Sequence, residues 1–113
     1  MSIKEVLVVD DNPDVLFLAE KKLRAAGFEI LTASDGIEAL QQMIDHPKCR
    51  RMVTDFHMPG LGGNYWVRFL ERFCSDWTVV VVSSSAEADP GSFVIVPKPA
   101  DYANLVEIFG GAS

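Results

Sequence analysis

Asp10 and Asp11 follow the apolar run Val6–Val9, and Asp55 closes the run Arg51-Met52-Val53-Thr54. Ser83 ends Val79–Val82, and Lys98 stands between Pro97 and Pro99 just beyond Phe93–Val96. Apolar strands that end in carboxylates, a hydroxyl and an amine converge at the carboxyl edge of an open α/β sheet, where such sheets bind ligands. Two adjacent carboxylates repel and raise each other's pKa, and adjacent side chains cannot both serve one helix cap. A hard cation removes that penalty, and Mg²⁺ typically takes one or two carboxylates plus waters. Asp55 then reads as a carboxylate nucleophile able to form an aspartyl phosphate, with Mg²⁺ bridging it and the phosphoryl oxygens.

Each residue also has a plainer reading. Asp10 or Asp11 alone could cap a helix and favour its dipole. Asp55 could shape a turn before Pro59-Gly60, Lys98 could be a solvated loop charge, and Ser83 an ordinary strand-end serine beside Ser84 and Ser85. His57 reads as a loop residue rather than a base, with its backbone carbonyl placed to complete a metal shell.

The elements that must position these groups follow from periodicity. Val6–Val9 is continuous and β-branched, as in a strand buried on both faces. Asn12-Pro13 supplies an N-cap and a first-turn proline, Val15, Leu16, Ala19, Leu23 and Ala26 recur at helical spacing, and Gly27 stops the helix. A strand over Phe28–Ala33 leads to a helix capped by Ser34 or Asp35, carrying Ile37, Leu40 and Ile44 and ended by His46-Pro47. Strand three is Arg51–Asp55. Met58-Pro59-Gly60-Leu61-Gly62-Gly63 is a loop, and Tyr65, Trp66, Phe69, Leu70 and Phe73 form an aromatic helix face. Val79–Val82 and Phe93–Val96 are strands four and five, and Tyr102–Phe109 is a short last helix. Alternation of this kind implies a parallel sheet with helices on both faces.

Composition narrows the class. A chain of 113 residues, 49% hydrophobic, is expected to form one domain over 1–113, without repeat or linker. A net charge of -6 argues against nucleic acid and favours protein partners, a divalent cation or a small anionic donor. Cys49 and Cys74 lack metal-ligand spacing and read as reduced thiols of a cytoplasmic protein. No run approaches the roughly 20 apolar residues of a membrane span, and no signal-peptide core is visible.

The segments VLVVDDNPD, TDFHMPGLGG, VVVVSS and VPKP, in this order, resemble the receiver domain of two-component response regulators, a bacterial signalling class. The resemblance implies a flavodoxin-like, doubly wound, five-stranded parallel sheet of order 2-1-3-4-5. It assigns Asp10 and Asp11 to Mg²⁺, Asp55 to phosphorylation, Ser83 to the phosphoryl switch contact and Lys98 to the phosphate. It also makes Lys98-Pro99 a candidate cis peptide. The implied partners are a sensor histidine kinase or a histidine phosphotransfer protein, and a downstream protein target.

Three features depart from the family pattern. Only fifteen positions separate Ser83 from Lys98, so the fourth helix, between strands four and five, is expected to be missing or reduced to a turn. Ile95 stands where an aromatic residue is common, which disfavours an aromatic rotamer switch. No output domain is expected after the last helix, as in a stand-alone receiver or an excised fragment. With the crossover shortened, segment 84–92 is expected to be mobile, and the strand 4–5 side to carry partner binding or self-association as a homodimer. Tyr65, Trp66, Phe69 and Phe73 are expected to lean over this side. Two alternatives compete: a pseudo-receiver that binds partners without phosphorylation, and an enzyme of the haloacid-dehalogenase type. The second resembles DxDx[TV], which Asp10-Asp11-Asn12 does not match.

Overall fold

The computed structural model describes residues 4–57, 63–84 and 91–110. Five parallel strands, β1 (Glu5–Val9), β2 (Glu29–Ala33), β3 (Arg51–Asp55), β4 (Thr78–Ser83) and β5 (Val94–Pro97), form one sheet of order β2-β1-β3-β4-β5. The helices among the described residues are α1 (Pro13–Ala25), α2 (Gly36–Asp45), α3 (Gly63–Phe73) and α4 (Tyr102–Ile108). This is the flavodoxin-like order expected. Among the described residues β4 passes to β5 without a helix, and α4 follows β5. The mobility expected of 84–92 falls largely on residues 85–90 and the loop expected over 58–63 largely on 58–62, both stretches outside the described residues, while Gly63 opens α3.

Strand alternation splits the core in two. Leu7, Val9, Met52, Val79 and Val81 face α2 and α3, while Val6, Val8, Val53, Val80 and Val82 face α1 and α4. Side chains of successive strand residues point to opposite faces, so a run of valines serves both layers. Cys49 and Cys74 are free and buried, and burial pushes the Cys74 thiol up to about 11.

Two helix faces differ from expectation. On α2 the inward stripe is Gly36, Ala39, Leu40 and Met43, whereas Ile37 and Ile44 face solvent. Gly36 and Ala39 are small and let the helix axis approach the sheet, so the helix settles on that row rather than on the larger isoleucines. On α3, Trp66, Val67 and Leu70 are buried, but Tyr65 and Phe73 remain 72% and 63% exposed and do not lean over the sheet. Phe69 does contribute, stacking on Trp66 with ring centroids 5.8 Å apart, and Phe93 packs against the same core.

The start of β5 is held from α3. Glu71 Oε2 accepts the Ser92 N–H at 3.0 Å, and Gly91 beside it adopts φ 61°, a conformation favourable for glycine.

Candidate functional site

Strand register brings the acidic residues together. Val9 is level with Thr54, so Asp10 and Asp55, each one residue further on, leave the sheet side by side. Asp55 is level with Val82, and Ser83 with Pro97, which places Ser83 and Lys98 at the same edge.

The turn after β1 fixes Asp10. Its N–H donates to Ala33 O at 3.0 Å, and its Oδ1 accepts the Asn12 N–H at 2.9 Å. Asn12 Oδ1 in turn accepts the Asp14 N–H at 2.9 Å, capping α1 ahead of Pro13 at its first turn. The plain capping reading of the acidic pair is thereby removed, because Asn12 does that work. Asp10 is 4% exposed, whereas Asp11 is open to solvent.

Asp55, also 4% exposed, is held by its neighbours on both sides. Its Oδ1 accepts the His57 N–H at 3.3 Å and meets Lys98 Nζ at 3.1 Å. Lys98 Nζ lies 4.0 Å from Asp10 Oδ2, and Lys98-Pro99 is a cis peptide. Asp10, Asp11 and Asp55 each offer an oxygen within 4.8 Å of the others, an all-oxygen donor set that suits a hard divalent cation. Burial, first, and then the carboxylates of Asp55 and Asp11 push the Asp10 pKa up; the Asn12 N–H and Lys98 act against that rise.

The five positions singled out in the sequence therefore fall at one edge. Asp10, Asp11, Asp55 and Lys98 meet directly, and Ser83, buried at the end of β4, stands across from Pro97. The ring of His57 is turned to solvent against Phe56 rather than into the acidic cluster.

Two neighbours were not read from the sequence. Thr54, fully buried, donates its hydroxyl to Asp55 O at 3.1 Å and accepts the Trp66 Nε1–H at 2.8 Å, joining α3 to the end of β3. A polar β-branched residue directly after the apolar pair Met52-Val53, inside a buried strand, was the available signal. Beyond the acids, a cavity of about 390 Å³ runs between α1 and the β5–α4 loop, and Asp10, Asp55 and Lys98 form part of its lining.

The carboxyl edge of this doubly wound parallel sheet thus gathers an acidic pair, a further aspartate and a lysine. The family model for the response regulator receiver domain matches residues 6–109, and the chain belongs to that family. The transcriptional regulatory protein PrrA of Mycobacterium tuberculosis is 42% identical over 84 residues, which cover 74% of this chain and 36% of PrrA. The matched stretch is thus about a third of that relative's length. A response regulator receiver domain from Clostridium thermocellum superposes with a TM-score of 0.83 at 24% identity, covering 96% of this chain and 92% of that one. Chemotaxis protein CheY4 of Vibrio cholerae gives 0.81 at 21%, covering 96% and 98%. These structural likenesses show the fold. Among the described residues, no helix is long and apolar enough to cross a membrane.

Proposed function

We propose that the chain, over residues 1–113, is a phosphorylation-controlled receiver in which Asp55 accepts a phosphoryl group. The observation that carries this reading is Lys98 Nζ at 3.1 Å from Asp55 Oδ1, inside a cluster of three carboxylates within 4.8 Å. Asp10, Asp11 and Asp55 are assigned to Mg²⁺, with the His57 backbone carbonyl as a further ligand. Bound there, Mg²⁺ supplies the positive charge that lets an anionic carboxylate approach an anionic phosphoryl group.

With Oδ1 engaged by Lys98 and the His57 N–H, Asp55 Oδ2 is the attacking oxygen. A new O–P bond forms as the P–N bond of a donor phosphohistidine breaks, and the electron pair leaves with the imidazole nitrogen. Lys98 moves from the carboxylate to the new phosphoryl oxygens, and Ser83 donates its hydroxyl to one of them. The group rests on the protein instead of passing to a separate substrate in repeated turnover, so the domain acts as a switch or relay and not as a conventional enzyme.

The donor is a sensor histidine kinase or a histidine phosphotransfer protein, and the output is a protein target. A net charge of -6 disfavours direct binding to nucleic acid by this chain, although PrrA is named a transcriptional regulator. A cytoplasmic location fits these partners. Self-association is assigned to the β4–β5 side, where Val94 and Ile95 are exposed on an edge strand.

The test is intact mass after incubation with an acyl phosphate, with and without Mg²⁺. Wild type gains one phosphate only with Mg²⁺, Asp55→Asn gains none, and Asp11→Asn gains little. Equal labelling of Asp55→Asn would overturn the assignment. No labelling of wild type by any donor would leave the unregulated binding module.

A further inference from the structure

We propose that the cavity beside the acidic cluster is a small-molecule site for apolar primary amines, with the ammonium head at Asp10 and the apolar body between α1 and the β5–α4 loop. At about 390 Å³ the cavity has the size of a small-ligand pocket. Its floor is the sheet face formed by Val8, Val53 and Val82, which offers no hydrogen-bonding side chain. Two lining positions are alanines, Ala19 on α1 and Ala100 just before α4, and their small side chains leave the space open. A cleft with such walls holds water poorly and favours an apolar body.

Its charged end selects the head group. Three carboxylates face one lysine, so the cluster carries an excess of negative charge. Lys98 sits 3.1 Å from Asp55 and forms only a long ion pair, 4.0 Å, with Asp10 Oδ2, beyond hydrogen-bond length, which leaves that oxygen able to accept from a further cation. Asp10 lines the cavity while only 4% exposed, so a cation must reach it through the cavity or along the metal position. A primary ammonium brings three donors and a compact charge, and an attached apolar chain covers the valine floor. Without a divalent cation, a carboxylate or phosphate head would meet the same excess of negative charge and be repelled.

Such an amine would occupy the position assigned to Mg²⁺ and hold the domain out of phosphorylation; this consequence rests on the function proposed above, whereas the binding does not.

The probe is 4-phenylbutylamine, compared with 4-phenylbutanol and with butylamine, titrated into the full chain in EDTA and followed by amide NMR. Saturable shifts are expected on α1 and around Ala100–Leu105, with Kd below about 1 mM for the phenylbutylamine and at least tenfold weaker binding of the other two. Ala100→Leu and Val15→Phe, which fill the cavity from two sides, are expected to abolish amine binding while leaving Mg²⁺ binding intact. Mg²⁺ is expected to weaken the amine. Absence of saturable shifts, equal binding of the alcohol, or unchanged amine binding in both folded variants overturns the site. Amine binding indifferent to Mg²⁺ overturns the placement of the head at Asp10. Amine binding in a protein that acyl phosphate never labels at Asp55 overturns the phosphoacceptor reading and leaves the amine site standing.

Discussion

Replacing Asp10 by Asn keeps the side-chain shape and an oxygen for the Asn12 N–H, and removes one charge from a residue only 4% exposed. Burial, followed by the Asp55 and Asp11 carboxylates, raises the Asp10 pKa from its ordinary 3.8 against the pull of the Asn12 N–H and Lys98. A carboxyl with a raised pKa in the fold binds its proton more tightly there than in the unfolded chain. Its contribution to stability is fully present below the unfolded pKa and is lost as pH rises through the folded one. At neutral pH without divalent cations the wild type carries that deficit and Asp10→Asn does not. Relieving an unfavourable charge commonly gives roughly 0.5–2 kcal/mol. At about 2.1 cal/mol/K of unfolding entropy per residue, a chain of 113 residues melts about 4 °C higher per kcal/mol, so a gain of roughly 2–8 °C is expected in EDTA. The gain should vanish as pH falls below about 4, where both states are protonated. At a hundredfold excess over its Kd, Mg²⁺ should add about 2.7 kcal/mol to the wild type and less to the variant, reversing their order. Circular-dichroism melts across pH, with EDTA or Mg²⁺, measure all of this. An Asp10→Asn protein that melts below wild type at neutral pH in EDTA would show that pairing with Lys98, and not burial, governs Asp10.

Lys98→Ala should change stability by no more than about 1 kcal/mol in urea melts, because its side chain is 36% exposed and its ion pairs are partly screened, yet labelling of Asp55 should slow at least tenfold. Thr54→Val leaves the buried Trp66 indole N–H without its acceptor and should cost about 1–3 kcal/mol, more than Thr54→Ser, which keeps the hydroxyl. Gly91→Ala should cost roughly 1–2 kcal/mol, since φ is 61° and a Cβ there would lie 2.5 Å from Glu71 Cδ. Adding Glu71→Ala should relieve the clash but not the backbone strain.

Legibility in the sequence followed the range of the forces involved. Strands showed because Val6–Val9 and Val79–Val82 must fill both faces of a central strand, and the α1 cap showed because Asn12-Pro13 acts within one turn. Asp10, Asp11, Asp55, Ser83 and Lys98 were legible because each sits at or just beyond the end of such a strand. The inward face of α2 was not, because hydrophobicity pointed to Ile37 and Ile44 whereas close approach to the sheet selected Gly36 and Ala39. On α3, apolar character alone did not separate buried Trp66, anchored through Thr54, from exposed Tyr65 one residue earlier. The cavity was invisible for a related reason: it depends on how far α1 stands from the β5–α4 loop, a distance no local pattern encodes.

The strand order also bears on how the molecule is made. β1, first from the ribosome, is flanked by β2 on one side and β3 on the other, and β4 and β5 extend the β3 side in turn. Each new strand therefore meets an edge that already exists, and none must be threaded between two that have paired. Synthesis at about 5–20 residues per second leaves ample time for each addition. Lys98 emerges with the last of these strands, so the acidic cluster stays without its lysine until the sheet is complete. Until then the nascent chain has the carboxylates of Asp10 and Asp55 but lacks the lysine that pairs with them, so the cluster reaches its final charge balance only with the last strand.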